Sequence, residues 1–285
     1  MKPAPFIRHV PRTVAEAVTI LAEVAGADGR VLAGGQSLVP IMAFRLAKPA
    51  HLVDINEIEE LGHIRNNGTT LAIGARVRHA AFHTPVVAGP LGAILTYVAR
   101  HIAHYPIRMR GTFCGSIAHA DPASEWCLVA ATLGATIVAK STRGERLIAA
   151  NDFFRGLMTT ALTEDELLVE VRLPQPPSDT KFGFNEFNRR AGDFAIASAF
   201  VSYRLKDGKI AEPRIGVGGA EPTPRRLTDA ENELAGKTTG DVAFRRAADI
   251  ASQVVEPLED HQTDFDYRCD LVRAVVRRAL EMAAT

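Results

Sequence analysis

The segment PQPPSD at residues 174–179 constrains the fold more than any other stretch of this sequence. Three prolines in six residues remove backbone N–H donors and disfavour both a helix and a central strand. The segment therefore predicts a linker. The chain has 285 residues, which suits two domains of ordinary size or one large domain, and the linker favours two.

The charge balance excludes some classes of partner. There are 33 basic and 33 acidic residues, and the pI is about 7.1, so neither nucleic acid nor an anionic membrane is expected as a partner. No apolar run approaches the roughly 20 residues of a membrane span. The N-terminus MKPAPFIRHVPR has prolines where a signal peptide would be apolar. These features predict a cytoplasmic protein without a membrane span.

Mixed α and β patterns precede the linker. Residues 6–10 and 30–33 are strand-like, and Thr13 and Glu16 have the spacing of a capping box before an apolar helical stripe. A short helix is expected to run through Leu46, followed by a strand at 51–55. Further on, Asp121-Pro122 has the residue types of a helix N-cap and first helical position.

The region after the linker predicts a small antiparallel sheet followed by helices. FGFNEF and DFAIASAFVSYRL read as strands, and Lys206-Asp207-Gly208-Lys209 is a hairpin turn signal. IAEPRIGVGGA supplies a further strand. The last predicted helix has one apolar side, formed by Leu271, Val275, Val276, Ala279 and Leu280. The fold class predicted for the whole chain is α+β.

Common catalytic and phosphate-binding motifs are missing from the sequence. No G-x-G-x-x-G motif follows a strand, and there is no Walker A lysine motif and no G-x-S-x-G elbow. Three scattered cysteines, Cys114, Cys127 and Cys269, suit neither a disulfide framework nor a metal site. No metal-binding residue is therefore predicted.

Two short glycine-bearing segments remain, AGGQS at 33–37 and TFCGS at 112–116. Each is predicted to be a turn between a strand and a helix. Glycine lets backbone N–H groups converge on an anion, and Ser37 and Thr112 add hydroxyl donors. A helix starting near Ser37 would direct its positive end to the same place. Two such turns facing each other could hold a pyrophosphate; alternatively, both are simply tight turns and Ser37 is an N-cap.

Four stretches in register resemble the FAD-binding medium subunit of the molybdenum hydroxylases, the family of xanthine dehydrogenase and carbon monoxide dehydrogenase. They are AGGQSLVPIMAFRLAKPAHLVDIN, RMRGTFCGSIAHADPASEW, DELLVEVRLP and RRAGDFAIASA. The resemblance implies a two-lobed FAD-binding domain of the vanillyl-alcohol-oxidase (PCMH) type at 1–176, with lobes at about 1–57 and 58–176. A C-terminal domain of the carbon monoxide dehydrogenase flavoprotein type would follow at 180–285.

The resemblance also implies a cofactor site. Non-covalent FAD would lie with its pyrophosphate between the two segments, and an acidic residue of the family near the flavin half corresponds to Glu125. Alternatively, Glu125 is simply an acidic residue in the first turn of a helix, where the helix dipole favours a negative charge. The residues implied to bind FAD are Ala33, Gly34, Gly35, Gln36, Ser37, Thr112, Phe113, Cys114, Gly115, Ser116 and Glu125.

This chain departs from the family pattern at Cys114, where many relatives have glycine. If that position needs a positive φ, a cysteine there would cost about 1–2 kcal/mol and weaken FAD binding. If it does not, the thiol only fills space.

The function implied by the resemblance is electron transfer. No catalytic residue is predicted, because the chain would act as an oxidoreductase subunit that passes electrons from partner [2Fe–2S] clusters to an external acceptor. The partners would be a large molybdopterin subunit and a small [2Fe–2S] subunit, in a dimer of heterotrimers. Two alternatives stay open: a stand-alone FAD oxidoreductase, and a scaffold subunit that has lost FAD.

Overall fold

The N-terminal part of the chain forms a small parallel sheet with two helices. The computed structural model describes residues 2–260 and 263–285. The strands β1 (Ile7–His9), β2 (Gly29–Leu32) and β3 (His51–Asp54) are arranged in the order β1-β3-β2. Helix α1 (Val14–Val24) joins β1 to β2, and α2 (Leu38–Ala43) joins β2 to β3.

The predicted start of α1 is confirmed. The Thr13 hydroxyl accepts a hydrogen bond of 3.1 Å from the Glu16 amide, and the Glu16 carboxylate accepts one of 2.8 Å from the Arg12 amide. Ala17, Val18, Leu21 and Val24 are buried, as the apolar stripe predicts. Helix α2 ends at Ala43 rather than continuing through Leu46, because Arg45 adopts a left-handed backbone angle of 58°.

The next part of the chain is built on an antiparallel sheet in the order β4-β5-β10-β6-β7. Its strands are β4 (Ile64–Asn66), β5 (Thr70–Gly74), β6 (Thr136–Ser141), β7 (Gly144–Ala149) and β10 (Leu167–Pro174). A separate ribbon joins β8 (Phe154–Gly156) to β9 (Thr159–Thr160). The helices are α3 (Pro90–His101), α4 (Tyr105–Arg108), α5 (Phe113–His119), α6 (Glu125–Leu133) and α7 (Ala150–Phe153), and a 3-10 turn spans His79–His83.

The predicted helix start at Asp121-Pro122 is wrong by three residues. The Asp121 carboxylate accepts a hydrogen bond of 2.9 Å from the Ala123 amide, which closes a local turn instead of capping a helix. Ser124 is the N-cap of α6, and Glu125 is the first helical residue.

The C-terminal region consists of a second antiparallel sheet covered by helices. Its strands are β11 (Lys181–Phe187), β12 (Ala197–Lys206), β13 (Lys209–Gly218) and β14 (Arg225–Arg226), in that spatial order. The helices are α8 (Thr228–Leu234), α9 (Asp241–Val254) and α10 (Phe265–Ala284). The predicted hairpin turn is confirmed, with Asp207 and Gly208 both at positive φ. The predicted apolar side of α10 is buried.

Two hydrophobic cores support this architecture. One is shared by α1 and the first two sheets, and the other is enclosed by β12, β13 and the last three helices. Phe182, Phe184 and Phe200 of the C-terminal sheet belong to the first core, so the regions before and after the linker pack together. Within residues 2–260 and 263–285, no helix is long and apolar enough to cross a membrane.

Candidate functional site

A cleft of about 670 Å³ lies between the N-terminal sheet and the larger antiparallel sheet. Both glycine-bearing segments line it, and the chain after β8 adds a third wall. The lining residues that bear on the argument are Ala33, Gly34, Gly35, Gln36, Ser37, His79, Gly111, Thr112, Cys114, Gly115, Ser116, Met158, Thr163 and Glu166. Nine of the predicted FAD-binding residues are thus brought to one cleft, and Phe113 and Glu125 are not.

The first segment, 33–37, is the predicted turn between β2 and α2. Gly35 adopts a φ of 71°, which glycine accommodates without strain. Within the described part of the chain, the amides of Gly35, Gln36 and Ser37 have no hydrogen-bond acceptor. Ser37 is the N-cap residue of α2 by position, as predicted, but its side chain forms no cap hydrogen bond. Backbone N–H groups without partners are the arrangement that binds an anion.

The second segment, 112–116, is not a turn, in contrast to the prediction. It forms the N-cap and first turn of α5, because the Thr112 hydroxyl accepts a hydrogen bond of 3.0 Å from the Gly115 amide. The Phe113 amide donates to the Val77 carbonyl, whereas the Cys114 amide has no acceptor among the described residues. The Thr112 hydroxyl keeps its own hydrogen available for donation.

Gly34 of the first segment meets the backbone of the two residues just before the second segment. A Cβ atom on this residue would lie 2.3 Å from the Arg110 carbonyl oxygen and 2.6 Å from the Gly111 Cα. No side chain fits there unless one backbone moves. Gly34 therefore fixes how closely the two walls of the cleft approach each other.

A polar network outside the cleft connects the same two walls. The Asn56 amide nitrogen donates to the Ala33 carbonyl at 2.8 Å, and the Asn56 oxygen accepts from Arg78 at 2.5 Å. Arg78 also donates to the carbonyl oxygen of Arg110. No sequence motif marks Asn56 or Arg78, although Asn56 stands two residues after the end of β3, where a site residue could have been sought. Their hydrogen bonds fix the positions of the two walls relative to each other.

Cys114 does not strain the second segment. It is a helical residue, it is absent from the positive-φ positions, and its thiol donates to the Ile73 carbonyl at 3.3 Å. Burial raises the pKa of the Cys114 thiol well above its ordinary value, so the thiolate does not form at neutral pH. Of the two interpretations of Cys114, the structure therefore favours the space-filling one, and the cost of a positive φ does not arise.

Phe113 lies in the hydrophobic core rather than on the cleft. It is fully buried, and its ring centroid is 4.8 Å from that of Trp126 and 5.6 Å from that of Phe82. Its amide is already paired with Val77. Its side chain anchors α5 to the core, and its role in cofactor binding stays a prediction.

Glu125 also lies outside the cleft lining, next to the C-terminal sheet. Burial, and secondly the negative charge of Glu186, raise the pKa of Glu125 to about 8, although part of the side chain remains exposed. Glu186 on β11 contacts His101 Nδ1 at 3.2 Å and accepts a hydrogen bond of 2.9 Å from Asn188. Glu125 thus belongs to an acidic group where the two parts of the chain meet.

The raised pKa of Glu125 predicts a pH-dependent stability. The folded protein holds this proton more tightly than the unfolded chain, so the contribution of Glu125 is complete below about pH 4.5 and is lost as the pH rises towards 8. We expect Glu125→Gln to match the wild type at pH 4 and to be more stable by about 2 kcal/mol at pH 8.5, a value reduced for partial exposure. Urea denaturation at both pH values measures this difference. Equal stabilities at pH 8.5 would contradict it.

Comparison with known proteins decides the family. Residues 4–176 match the model of the FAD binding domain in molybdopterin dehydrogenase, and residues 182–283 match the CO dehydrogenase flavoprotein C-terminal domain. The chain belongs to the FAD-binding medium subunits of the molybdenum hydroxylases.

Full-length relatives agree with this assignment. This medium subunit is 37% identical to the carbon monoxide dehydrogenase medium chain of Hydrogenophaga pseudoflava, covering 99% of this chain and 98% of that protein. It is 39% identical to the 6-hydroxypseudooxynicotine dehydrogenase complex subunit alpha of Paenarthrobacter nicotinovorans, covering 99% and 96%. A structure of carbon monoxide dehydrogenase from H. pseudoflava superimposes with a TM-score of 0.95 at 38% identity, covering 100% of this chain and 99% of that one.

These findings confirm several predictions. The α+β fold, with an FAD-binding domain followed by a flavoprotein C-terminal domain, is confirmed. So are FAD as the cofactor, the oxidoreductase class, and membership of a multi-subunit family whose molybdenum and iron–sulfur groups belong to other subunits.

Proposed function

We propose that this medium subunit holds FAD with its pyrophosphate between segments 33–37 and 112–116. The observation that carries the proposal is the pairing of these segments across one cleft, with the amides of Gly35, Gln36 and Ser37 left without acceptors among the described residues. A pyrophosphate offers acceptor oxygens to several such donors at once. The residues present therefore fit the cofactor.

Under this proposal, residues on both walls of the cleft donate hydrogen bonds to the pyrophosphate. The three free amides of the first segment bind phosphate oxygens, and the Cys114 amide and Thr112 hydroxyl donate from the opposite wall. Gly34 keeps the walls close enough for both to reach one pyrophosphate. When bound, the flavin supplies the redox chemistry, which the protein positions and tunes. Phe113 contributes by packing on Trp126, which holds the first turn of α5 in place at the cleft.

Glu125 keeps its proposed place near the flavin half of the cofactor. Its carboxyl group interacts with that of Glu186 on β11, so it lies at the junction with the C-terminal sheet, and it is not among the residues that line the cleft. The protonated carboxyl favoured by its raised pKa would be a hydrogen-bond donor rather than a charge.

The assembly we propose is a complex with a large molybdopterin subunit and a small [2Fe–2S] subunit, present as a dimer of heterotrimers. The medium subunit would pass electrons from the partner clusters to an external acceptor. Family membership supports this proposal. Among the described residues, no group of three or more His, Cys, Asp or Glu side chains is placed to hold a metal ion.

Co-expression of a tagged medium subunit with its two candidate partners tests the assembly. We expect the three chains to elute together, at a mass twice that of one heterotrimer, with flavin, molybdenum and iron present. A tagged chain that elutes alone, with flavin and its own oxidase activity, would instead favour the stand-alone oxidoreductase. The division of the chain into domains at 1–176 and 180–285 also stays a prediction, which limited proteolysis tests. The cytoplasmic location is a further prediction, which cell fractionation tests.

The main reason for considering a scaffold subunit that has lost FAD no longer applies. It rested on a distorted loop at Cys114, and this residue is an unstrained part of a helix. A chain that remained colourless after addition of FAD would still support it.

A further inference from the structure

His79 is a buried imidazole on the wall of the cleft, and sequence reasoning did not single it out. It begins the 3-10 turn after β5 and is 4% exposed. Its backbone amide donates to the Gly111 carbonyl at 3.0 Å, which ties it to the chain just before the second segment. The ring is therefore fixed beside the place where the two walls meet.

The tautomer of His79 follows from one hydrogen bond. The indole Nε1 of Trp126 donates to His79 Nδ1 at 3.0 Å, and an indole N–H can only donate. Nδ1 must therefore carry the lone pair, and the hydrogen of the neutral ring is on Nε2. Burial, followed by the charges of Arg108 and Arg78, lowers the pKa of His79 to about 3, so the ring stays neutral at physiological pH.

The Nε2 edge of the ring faces the glycine at the second wall. A Cβ atom on Gly111 would lie 2.6 Å from Nε2 and 2.7 Å from Cδ2. Among the described residues, Nε2 has no hydrogen-bond partner, although His79 and Gly111 both line the cleft. A buried donor with a fixed orientation and no acceptor is an incomplete hydrogen bond.

We infer that the Nε2–H of His79 donates a hydrogen bond to the FAD pyrophosphate, an inference that rests on the proposed position of the pyrophosphate between the two segments. Trp126 acts as a positioning residue because it holds the imidazole in the tautomer that donates into the cleft. The donor is neutral, so it binds phosphate without adding a positive charge.

Two substitutions distinguish the role of Nδ1 of His79 from the role of Nε2. In the His79→Asn variant, the asparagine side chain can place its oxygen where Nδ1 was and accept from Trp126, but it has no donor at the position of Nε2. His79→Gln can place an N–H group close to the Nε2 position. The flavin-free full-length wild type and both variants are titrated with FAD and with riboflavin, which lacks phosphate, and binding is followed by flavin fluorescence.

We expect His79→Asn to lower the affinity for FAD about 10- to 100-fold, as for the loss of a hydrogen bond to a charged group, and to leave riboflavin binding unchanged. His79→Gln should recover most of the FAD affinity. FAD affinity within about twofold of the wild type in the His79→Asn variant would overturn the inference, as would an equal loss for riboflavin. A wild type that shows no preference for FAD over riboflavin would instead contradict the pyrophosphate site itself.

If the His79→Asn variant does not fold, the wild-type chain labelled with ¹⁵N-histidine decides the question. The inference predicts a protonated Nε2 and an unprotonated Nδ1 at His79, and an Nε2–H signal that moves on addition of FAD but not of riboflavin. An Nε2 signal that does not respond to FAD would overturn it.

Discussion

Gly34→Val is expected to abolish stoichiometric FAD binding while leaving the secondary structure in place. A Cβ atom here would lie 2.3 Å from the Arg110 carbonyl oxygen and 2.6 Å from the Gly111 Cα, and backbone cannot rotate away as a side chain can. The two walls must separate, so a pyrophosphate could no longer reach donors on both. Losing two hydrogen bonds to a charged group corresponds to an affinity loss of about 100-fold or more.

The control for this substitution is Gly26→Val, because a Cβ atom on Gly26 has no neighbour within 4 Å. The flavin content of each purified protein is measured by visible absorbance after denaturation, and circular dichroism checks the fold. We expect full flavin content in the Gly26 variant and almost none in the Gly34 variant. A Gly34 variant that retains one FAD per chain would show that the contact between the walls does not define the site.

Gly183→Val is expected to cause a large loss of stability. Gly183 lies in β11 directly beneath α10, and a Cβ atom on it would lie 1.8 Å from the Ala279 carbonyl oxygen and 2.8 Å from the Ala279 carbonyl carbon. A valine would push α10 away from the sheet and uncover its buried face. We expect a cost of about 3 kcal/mol, or a melting temperature lower by about 6–12 °C.

Gly156→Val serves as the matched control, because a Cβ atom on Gly156 meets nothing within 4 Å. Thermal unfolding followed by circular dichroism compares the two variants with the wild type. An unchanged melting temperature in the Gly183 variant would mean that α10 can shift on the sheet without cost.

Local signals in the sequence were sufficient for several elements of the fold. The Thr13–Glu16 spacing predicted the start of α1, and Asp207-Gly208 predicted the hairpin, since both depend on hydrogen bonds or backbone angles set within a few residues. The sequence predicts that Gly34 is part of a site, but the reason for its lack of a side chain is contact with Arg110 and Gly111. That contact joins positions far apart in the chain.

The errors have a common physical origin. The small, glycine-bearing residues of segment 112–116 predict a turn, yet the Thr112 hydroxyl caps a helix there. Asp121-Pro122 predicts a helix start, yet Ser124 provides the cap. In each case a polar side chain selects among several nearby amides, and residue type alone does not determine which amide it pairs with.

His79, Asn56 and Arg78 could not be found from local patterns at all. Asn56 matters because it joins the Ala33 carbonyl to Arg78, and His79 because Trp126 and Gly111 fix its ring. These relations span 22 to 47 residues of sequence. The tertiary fold creates these contacts, so no local sequence motif indicates them.

The most direct test of the central claim is an equilibrium titration of the flavin-free wild-type chain with FAD and with riboflavin. A site in which the two glycine-bearing segments bind the pyrophosphate predicts one FAD per chain and riboflavin binding weaker by about 100-fold or more. Equal affinities for the two ligands, or no binding of FAD by the folded chain, would contradict the account.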